Sequence, residues 1–389
     1  MKQDPRAIYF LKGLYSFGYN SIAPILPVFL TTLTSSAAQI GMVPAAYQLS
    51  RTLGALFFGQ ASDRMGHKRT LMAGIGLAIP LALLLLNAKT IGDYALIFFG
   101  IGISSGLFYI SLDALATTLH AKKGQTLAGL EGAYHAGFLA GPFLGGFLAH
   151  QFGMPAVFVL CALMMLFTLA LAGTLPQDKK KQAVSIGSAF LEMKLVLQQT
   201  PKSRMLAFAS STFVDGFGET SFWLLIPLYA VSLGFNIVSV GTITAVAAAV
   251  TVLGVGHLGA LSDRLGRRSS LLVSLGLMLS ACLLLVWFHS FLALALLAGV
   301  YALGRSAGYM NTRAFTADLA SHSHRASALS VHELLFTAGR TIGPLAAGLM
   351  LDSAGAAFAF QAIALVIGAN ILLLWLLPEG MEANKKAGA

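Results

Sequence analysis

Asp215 and Glu219 stand four residues apart in the middle of a long apolar stretch, and Arg51, Arg305 and Arg340 stand at similar depth in three others. An ionised side chain at the centre of a bilayer costs about 2.5 to 3.5 kcal/mol on insertion scales, so these residues need partners or a wet cavity. A spacing of four puts the two carboxyls on one helix face, close enough to perturb each other. Desolvation and a like-charged neighbour both favour a protonated carboxyl, which is the chemistry a proton carrier requires. The competing structural reading is an ion pair of Arg305 with Asp215 or with Glu219. Lys12, Asp113, Glu131, Arg313, Asp318 and Glu333 lie nearer the ends of their stretches, where snorkelling or pairing at a gate suffices.

The elements that must position these charges follow from composition. Of the 389 residues 57% are hydrophobic and only 10% charged, with a mean hydropathy of +0.78. Soluble domains carry about 25% charged residues, so too little polar surface exists here for a water-facing globule. Apolar runs lie near 7–33, 38–61, 69–88, 93–117, 126–149 and 155–175, then near 205–233, 238–261, 269–289, 292–319, 328–351 and 357–377. Each is long enough for one helical crossing of a bilayer. The expectation is an all-α integral membrane protein of twelve transmembrane helices: a six-helix bundle over 1–175, a cytoplasmic linker over 176–204, and a second bundle with a short tail over 205–389. In the linker Ile186, Phe190, Met193 and Leu197 recur at helical spacing, consistent with an amphipathic helix on the lipid surface.

Net charge is +10, yet with a cytoplasmic N-terminus nineteen of the 25 basic residues fall in tails or loops on that side and only Lys89 on the other. That is the positive-inside pattern, so the basic balance reports topology and not nucleic-acid binding. Both termini are expected in the cytoplasm, in the inner or plasma membrane, with no cleaved signal peptide. Cys161 and Cys282 both lie in apolar stretches and support neither a disulfide framework nor a metal site.

The two halves repeat. "GQASDRMGHKRTL" from Gly59 matches "GALSDRLGRRSSL" from Gly259, and "FGYNSIAPILP" from Phe17 matches "FGETSFWLLIP" from Phe217, both at an offset of 200. Farther on the offset becomes 202, pairing Glu131 with Glu333 and Gly141-Pro142 with Gly343-Pro344. Six spans per repeat is an even number, so the repeats are parallel, about an axis along the membrane normal, as in transporters whose site lies between halves.

These motifs resemble the major facilitator superfamily across essentially the whole chain. The loops Gly59 to Leu71 and Gly259 to Leu271 look like its signature between spans 2 and 3 and the copy between spans 8 and 9. "GYNSIAPILP" looks like the first-span motif, and "GFLAGPFLGGFL" from Gly137 the fifth-span motif, of its twelve-span drug:proton antiporters. One departure stands in the fourth span, where "GISSG" puts Gly102 at the place of the family's usual relay arginine. The resemblance implies that spans 1, 4, 7 and 10 line a cavity. That places Arg305 with the aromatics Phe17, Tyr19, Tyr109, Phe217 and Trp223 at the substrate, and Arg51 and Arg340 are further cavity candidates.

In the signature loops Gly66 and Gly266 are expected to supply the turn, with Asp63, Arg64, Asp263 and Arg264 forming breakable contacts at a gate. Glu131 and Glu333 are gate candidates as well. Gly137, Gly141, Gly145 and Gly146 form a small-residue face for a close helix crossing, and Pro142 removes a backbone donor beside it. No phosphate-binding GxxxxGK[ST], HExxH or GxSxG string occurs, so ATP drive and hydrolase chemistry have no basis. The expected protein is a secondary transporter without cofactor, driven by a proton gradient and exporting a small amphiphilic compound by alternating access. Its partners are substrate, protons and the bilayer, with no metal or nucleic acid, and it is expected to act as a monomer. Carriers of an organic anion, zwitterion or lipid-like metabolite are the rivals in transport, and a non-transporting membrane receptor is the rival outside it.

Overall fold

The structure is a computed structural model that describes residues 6–119, 123–176, 202–319 and 325–377. Among these residues there are helices and no strands. In chain order the helices are α1 (Arg6–Asn20), α2 (Leu26–Leu30), α3 (Ala37–Met65), α4 (His67–Leu84), α5 (Ile91–Leu119), α6 (Lys123–Phe152) and α7 (Met154–Thr174). Then come α8 (Lys202–Ser232), α9 (Ile237–Leu265), α10 (Arg267–Leu285), α11 (Phe291–Leu319) and α12 (Arg325–Leu376).

The twelve helices are twelve spans once two features are taken into account. The first span is broken: α1 stops at Asn20, a turn of five residues follows, and α2 restarts with Pro27 in its first turn. Conversely α12 contains an apolar stretch of 49 residues, Ala328–Leu376. At a rise of 1.5 Å per residue it would be roughly 74 Å long, against about 30 Å of hydrocarbon, so it makes two crossings. The break is Gly355, at φ 82° and ψ 178°. Its counterpart 202 residues earlier is Gly153, at φ 79° and ψ 170°, which separates α6 from α7.

The signature glycines do what their spacing implies. A single residue, Gly66 at φ 96°, separates α3 from α4, and Gly266 at φ 83° separates α9 from α10. A side chain at such a φ meets steric strain, so glycine makes the one-residue reversal. Ser62 fixes the first of these turns sideways: its hydroxyl pairs with His67 Nδ1 at 2.8 Å and with Ser111 of α5 at 3.1 Å. The side chains of Asp63, Arg64 and Asp263 lie outside the described residues, and Arg264 is exposed. The linker reading over 186–197 lies outside them too.

By contact the chain divides into two compact units, Met1–Val184 with Ile226–Ala248, and Ser185–Leu225 with Ala249–Ala389. Ile226–Ala248 joins the first unit because α9 crosses α6 closely: a Cβ at Gly146 would come within 2.9 Å of the Ile237 carbonyl.

Within each unit the glycine face makes one and the same crossing. A Cβ at Gly137 would lie 2.6 Å from Phe17 N, and one at Gly141 2.9 Å from Phe17 O. In the second unit a Cβ at Gly339 would lie 2.6 Å from Phe217 N, and one at Gly343 2.6 Å from Phe217 O. Only hydrogen fits between backbones this close, which is the packing that small residues allow in membranes. Helix α6 runs through Pro142, which is buried in it.

Candidate functional site

In the second unit α8 delivers Glu219 between two guanidiniums. Arg305 Nη1 of α11 is 3.1 Å from Glu219 Oε1, and Arg340 Nε of α12 is 3.2 Å from Oε2. The three side chains are 15 to 18% exposed, so the cluster is mostly desolvated. Each arginine also lies over an aromatic ring: Arg305 is 5.8 Å from the Tyr309 centroid and Arg340 5.3 Å from that of Phe336. Arg313 approaches the same Tyr309 ring at 5.4 Å. Two cations share one carboxylate, so the trio carries a formal charge of +1 when Glu219 is ionised.

Asp215 lies one turn earlier on α8 and is treated differently. It is 2% exposed, and neither carboxyl oxygen accepts a hydrogen bond among the described residues. Its Oδ1 faces α11, 3.6 Å from where a Cβ on Gly308 would sit. The structure thus brings Glu219, Arg305 and Arg340 into contact and sets Asp215 in the seam beside them. Buried close by are Tyr301, stacked on Phe222 at 3.7 Å, and the hydroxyl of Thr220, which donates to the Arg340 carbonyl at 3.0 Å.

The first unit holds a different cluster. Lys12 of α1 is only 3% exposed, and its ammonium lies 2.8 Å from Glu131 of α6 and 3.8 Å from Asp113 of α5. Snorkelling, one of the two outcomes expected for Lys12, is not what occurs; the cation is held inward by pairing. Tyr109 presents its ring to Lys12 at 5.7 Å and to Arg51 at 4.9 Å. The hydroxyls of Tyr15 and Tyr47 meet at Ser105, at 2.8 and 3.1 Å. Tyr19 stacks on Tyr47 at 4.8 Å and lines a small cleft with Pro27, Pro44 and Phe98.

The remaining residues singled out from sequence take varied places. Phe17 and Trp223 are half-buried, whereas Phe217 is 6% exposed and stacks on Phe213, so its ring belongs to packing. Glu333 is exposed. Gly102 has a local reason for departing from arginine: a Cβ there would collide with Ser50 Oγ and the Tyr47 carbonyl, because α3 and α5 cross at this point. The Tyr15–Ser105–Tyr47 hydroxyl network carried no sequence signal, since serines and tyrosines in apolar spans are common and their meeting depends on helix rotation. Among the described residues no group of three or more His, Cys, Asp or Glu could hold a metal ion.

Comparison with known proteins agrees with this architecture. The Major Facilitator Superfamily profile matches residues 8–206 and 208–389. The chain is 25% identical over 382 residues to the multi-drug resistance efflux pump PmrA of Streptococcus pneumoniae, covering 95% of each chain. It is 24% identical to the multidrug resistance protein MdtG of Proteus mirabilis, covering 96% of each. Among solved structures the nucleoside transporter NupG superposes with a TM-score of 0.82 at 14% identity, over 97% of this chain and 100% of that one. Two matched six-span halves, glycine crossings repeated at Phe17 and Phe217 and mid-span charges held inward all belong to one architecture: the chain is a member of the Major Facilitator Superfamily, a multi-pass membrane transporter and not an enzyme.

Proposed function

We propose that the protein is a proton-coupled exporter of small amphiphilic compounds that works by alternating access. The observation that carries this reading is Glu219 bridged by Arg305 and Arg340. A proton and two guanidiniums compete for the same two oxygens. Protonation of Glu219 weakens both ion pairs and sets α8, α11 and α12 free to rearrange; loss of the proton restores them. A charge change that biases a two-state element is the physical content of coupling. Asp215, one turn away, is the second carboxyl through which the proton passes. Within the first unit the half-buried ring of Tyr19, in the small cleft with Pro27, Pro44 and Phe98, is an apolar face for the cargo. Export is supported by the efflux named for PmrA, and breadth of cargo by the multidrug resistance named for it and for MdtG.

One observation favours a second reading. Two guanidiniums outnumber the carboxylate between them, which suits an organic anion. Such a cargo would compete with Glu219 for the arginines and travel with the proton, not against it. The test is therefore transport of ethidium, an amphiphilic cation, and of an amphiphilic carboxylate by purified protein in liposomes with an imposed pH gradient. Ethidium moving against the proton, and no gradient-driven movement in the double variant Asp215→Asn, Glu219→Gln, is the expected result. Undiminished gradient-driven transport by that variant removes the carboxyls from coupling, and carboxylate moving with the proton establishes the second reading.

A further inference from the structure

The signature loops contain a basic residue that their turn geometry does not use. Lys68, in the first turn of α4, donates from Nζ to the Gly173 carbonyl at 2.7 Å and to the Leu175 carbonyl. Two hundred residues later Arg268, in the first turn of α10, donates from Nε and Nη2 to the Leu374 carbonyl at 3.2 and 3.0 Å, and from Nη2 to the Trp375 carbonyl at 3.1 Å. Gly173 and Leu175 end α7, and Leu374 and Trp375 end α12. The last carbonyls of a helix have no partner within it and carry the negative end of its dipole, so a cation donating to them satisfies both.

A basic residue that served only to orient the protein in the membrane would extend its charge into water or headgroups. These two instead reach the backbone of another span more than a hundred residues away, at corresponding places in the two halves. They use different means: the ammonium spans two carbonyls two residues apart, and the guanidinium forks across the carbonyls of two consecutive residues. Leu175 leaves the helix in an extended conformation, at φ −67° and ψ 149°, and is only 5% exposed.

We propose that Lys68 and Arg268 are positioning residues, each clamping the last turn of its half's sixth span to the signature loop. Loop, span end and the chain leaving it then move as one piece.

Accessibility at Leu175 tests this without a cargo. Cys161 and Cys282 are buried, so a Leu175→Cys thiol reports alone in full-length protein in nanodiscs, where a maleimide reaches both faces. With Lys68 or Lys68→Arg present the thiol reacts slowly; with Lys68→Met, which loses both charge-assisted bonds, it reacts at least about tenfold faster. Hydrogen exchange over residues 367–377 gives the second arm, faster in Arg268→Met and unchanged in Arg268→Lys. Equal rates in Lys68→Met and the parent overturn the proposal, as does failure of Lys68→Arg to protect. Should Lys68→Met not accumulate, Lys68→Gln, which keeps a donor but no charge, is compared in its place with the same readings.

Discussion

The Glu219 trio makes an asymmetric prediction about its members. With charge centres about 4 Å apart and an effective dielectric near 20, each Glu219–arginine attraction is worth about 4 kcal/mol before desolvation. Two guanidiniums on opposite oxygens of one carboxylate also repel each other, by less than either attraction because their charges lie farther apart. Glu219→Gln removes both attractions and leaves that repulsion in place. Arg340→Met removes one attraction but also relieves the repulsion, leaving a neutral pair of Glu219 with Arg305. Once hydration offsets part of the gross terms, Glu219→Gln costs about 3 to 5 kcal/mol, as expected for stranding a buried charge, and Arg340→Met about 1 to 2. The double variant retains a single unpaired guanidinium and is no less stable than Glu219→Gln, so the cycle gives a coupling of about 2 to 3 kcal/mol. Denaturant unfolding in mixed micelles, followed by tryptophan fluorescence, measures all four proteins. If Arg340→Met is as damaging as Glu219→Gln, or the two losses add within about 0.5 kcal/mol, Glu219 is not the shared partner.

Three further outcomes follow from the packing. Gly137→Ala and Gly339→Ala each force a Cβ to within 2.6 Å of backbone and lower stability by about 1 to 3 kcal/mol, whereas Gly132→Ala and Gly368→Ala, with open space at the Cβ, are neutral or gain; thermal unfolding separates the two pairs. Gly102→Arg, the residue the family resemblance implies at this place, puts a Cβ into Ser50 and the Tyr47 carbonyl, and the variant does not accumulate folded in the membrane. Around Lys12, Glu131→Gln lowers the melting temperature more than Asp113→Asn, because the ammonium is 2.8 Å from one carboxylate and 3.8 Å from the other.

Much of the fold is legible in the sequence because bilayer thickness sets the length of each apolar run. The two signature glycines are legible because a one-residue reversal needs a positive φ, as Gly66 and Gly266 adopt. The small-residue crossing was visible at spacing four from Gly137 to Gly141 and Gly145. Hidden was anything that depends on how a span is rotated about its axis. Nothing in the strings marks Lys68 and Arg268 as capping distant carbonyls, since any basic residue satisfies the positive-inside pattern. The break after Asn20 was hidden too: the matching stretch in α8 carries its own proline, Pro227, and runs on as a helix.

The limit shows most clearly on α8. Four residues advance a helix by about 400°, so Asp215 and Glu219 share a face to within about 40° yet meet different neighbours. Glu219 reaches two arginines, while Asp215 Oδ1 faces Gly308 of α11. For Asp215 to exchange a proton, water has to enter that seam, so the α8–α11 contact must open during the cycle. A Cβ on Gly308 would lie 3.6 Å from Asp215 Oδ1 and 3.7 Å from the Ser274 Cβ, ordinary contact distances. Gly308→Ala therefore folds at least as stably as the parent, gaining up to about 1 kcal/mol from helix propensity. Gly308→Val fills the same space with two more methyl groups. Both leave the Glu219 trio untouched and narrow the space between Asp215 and α11. The expected result is gradient-driven transport that falls from Gly to Ala to Val at equal amounts of folded protein. Undiminished transport in all three would mean that Asp215 stays shut in its seam throughout the cycle and that Glu219 alone answers to the proton.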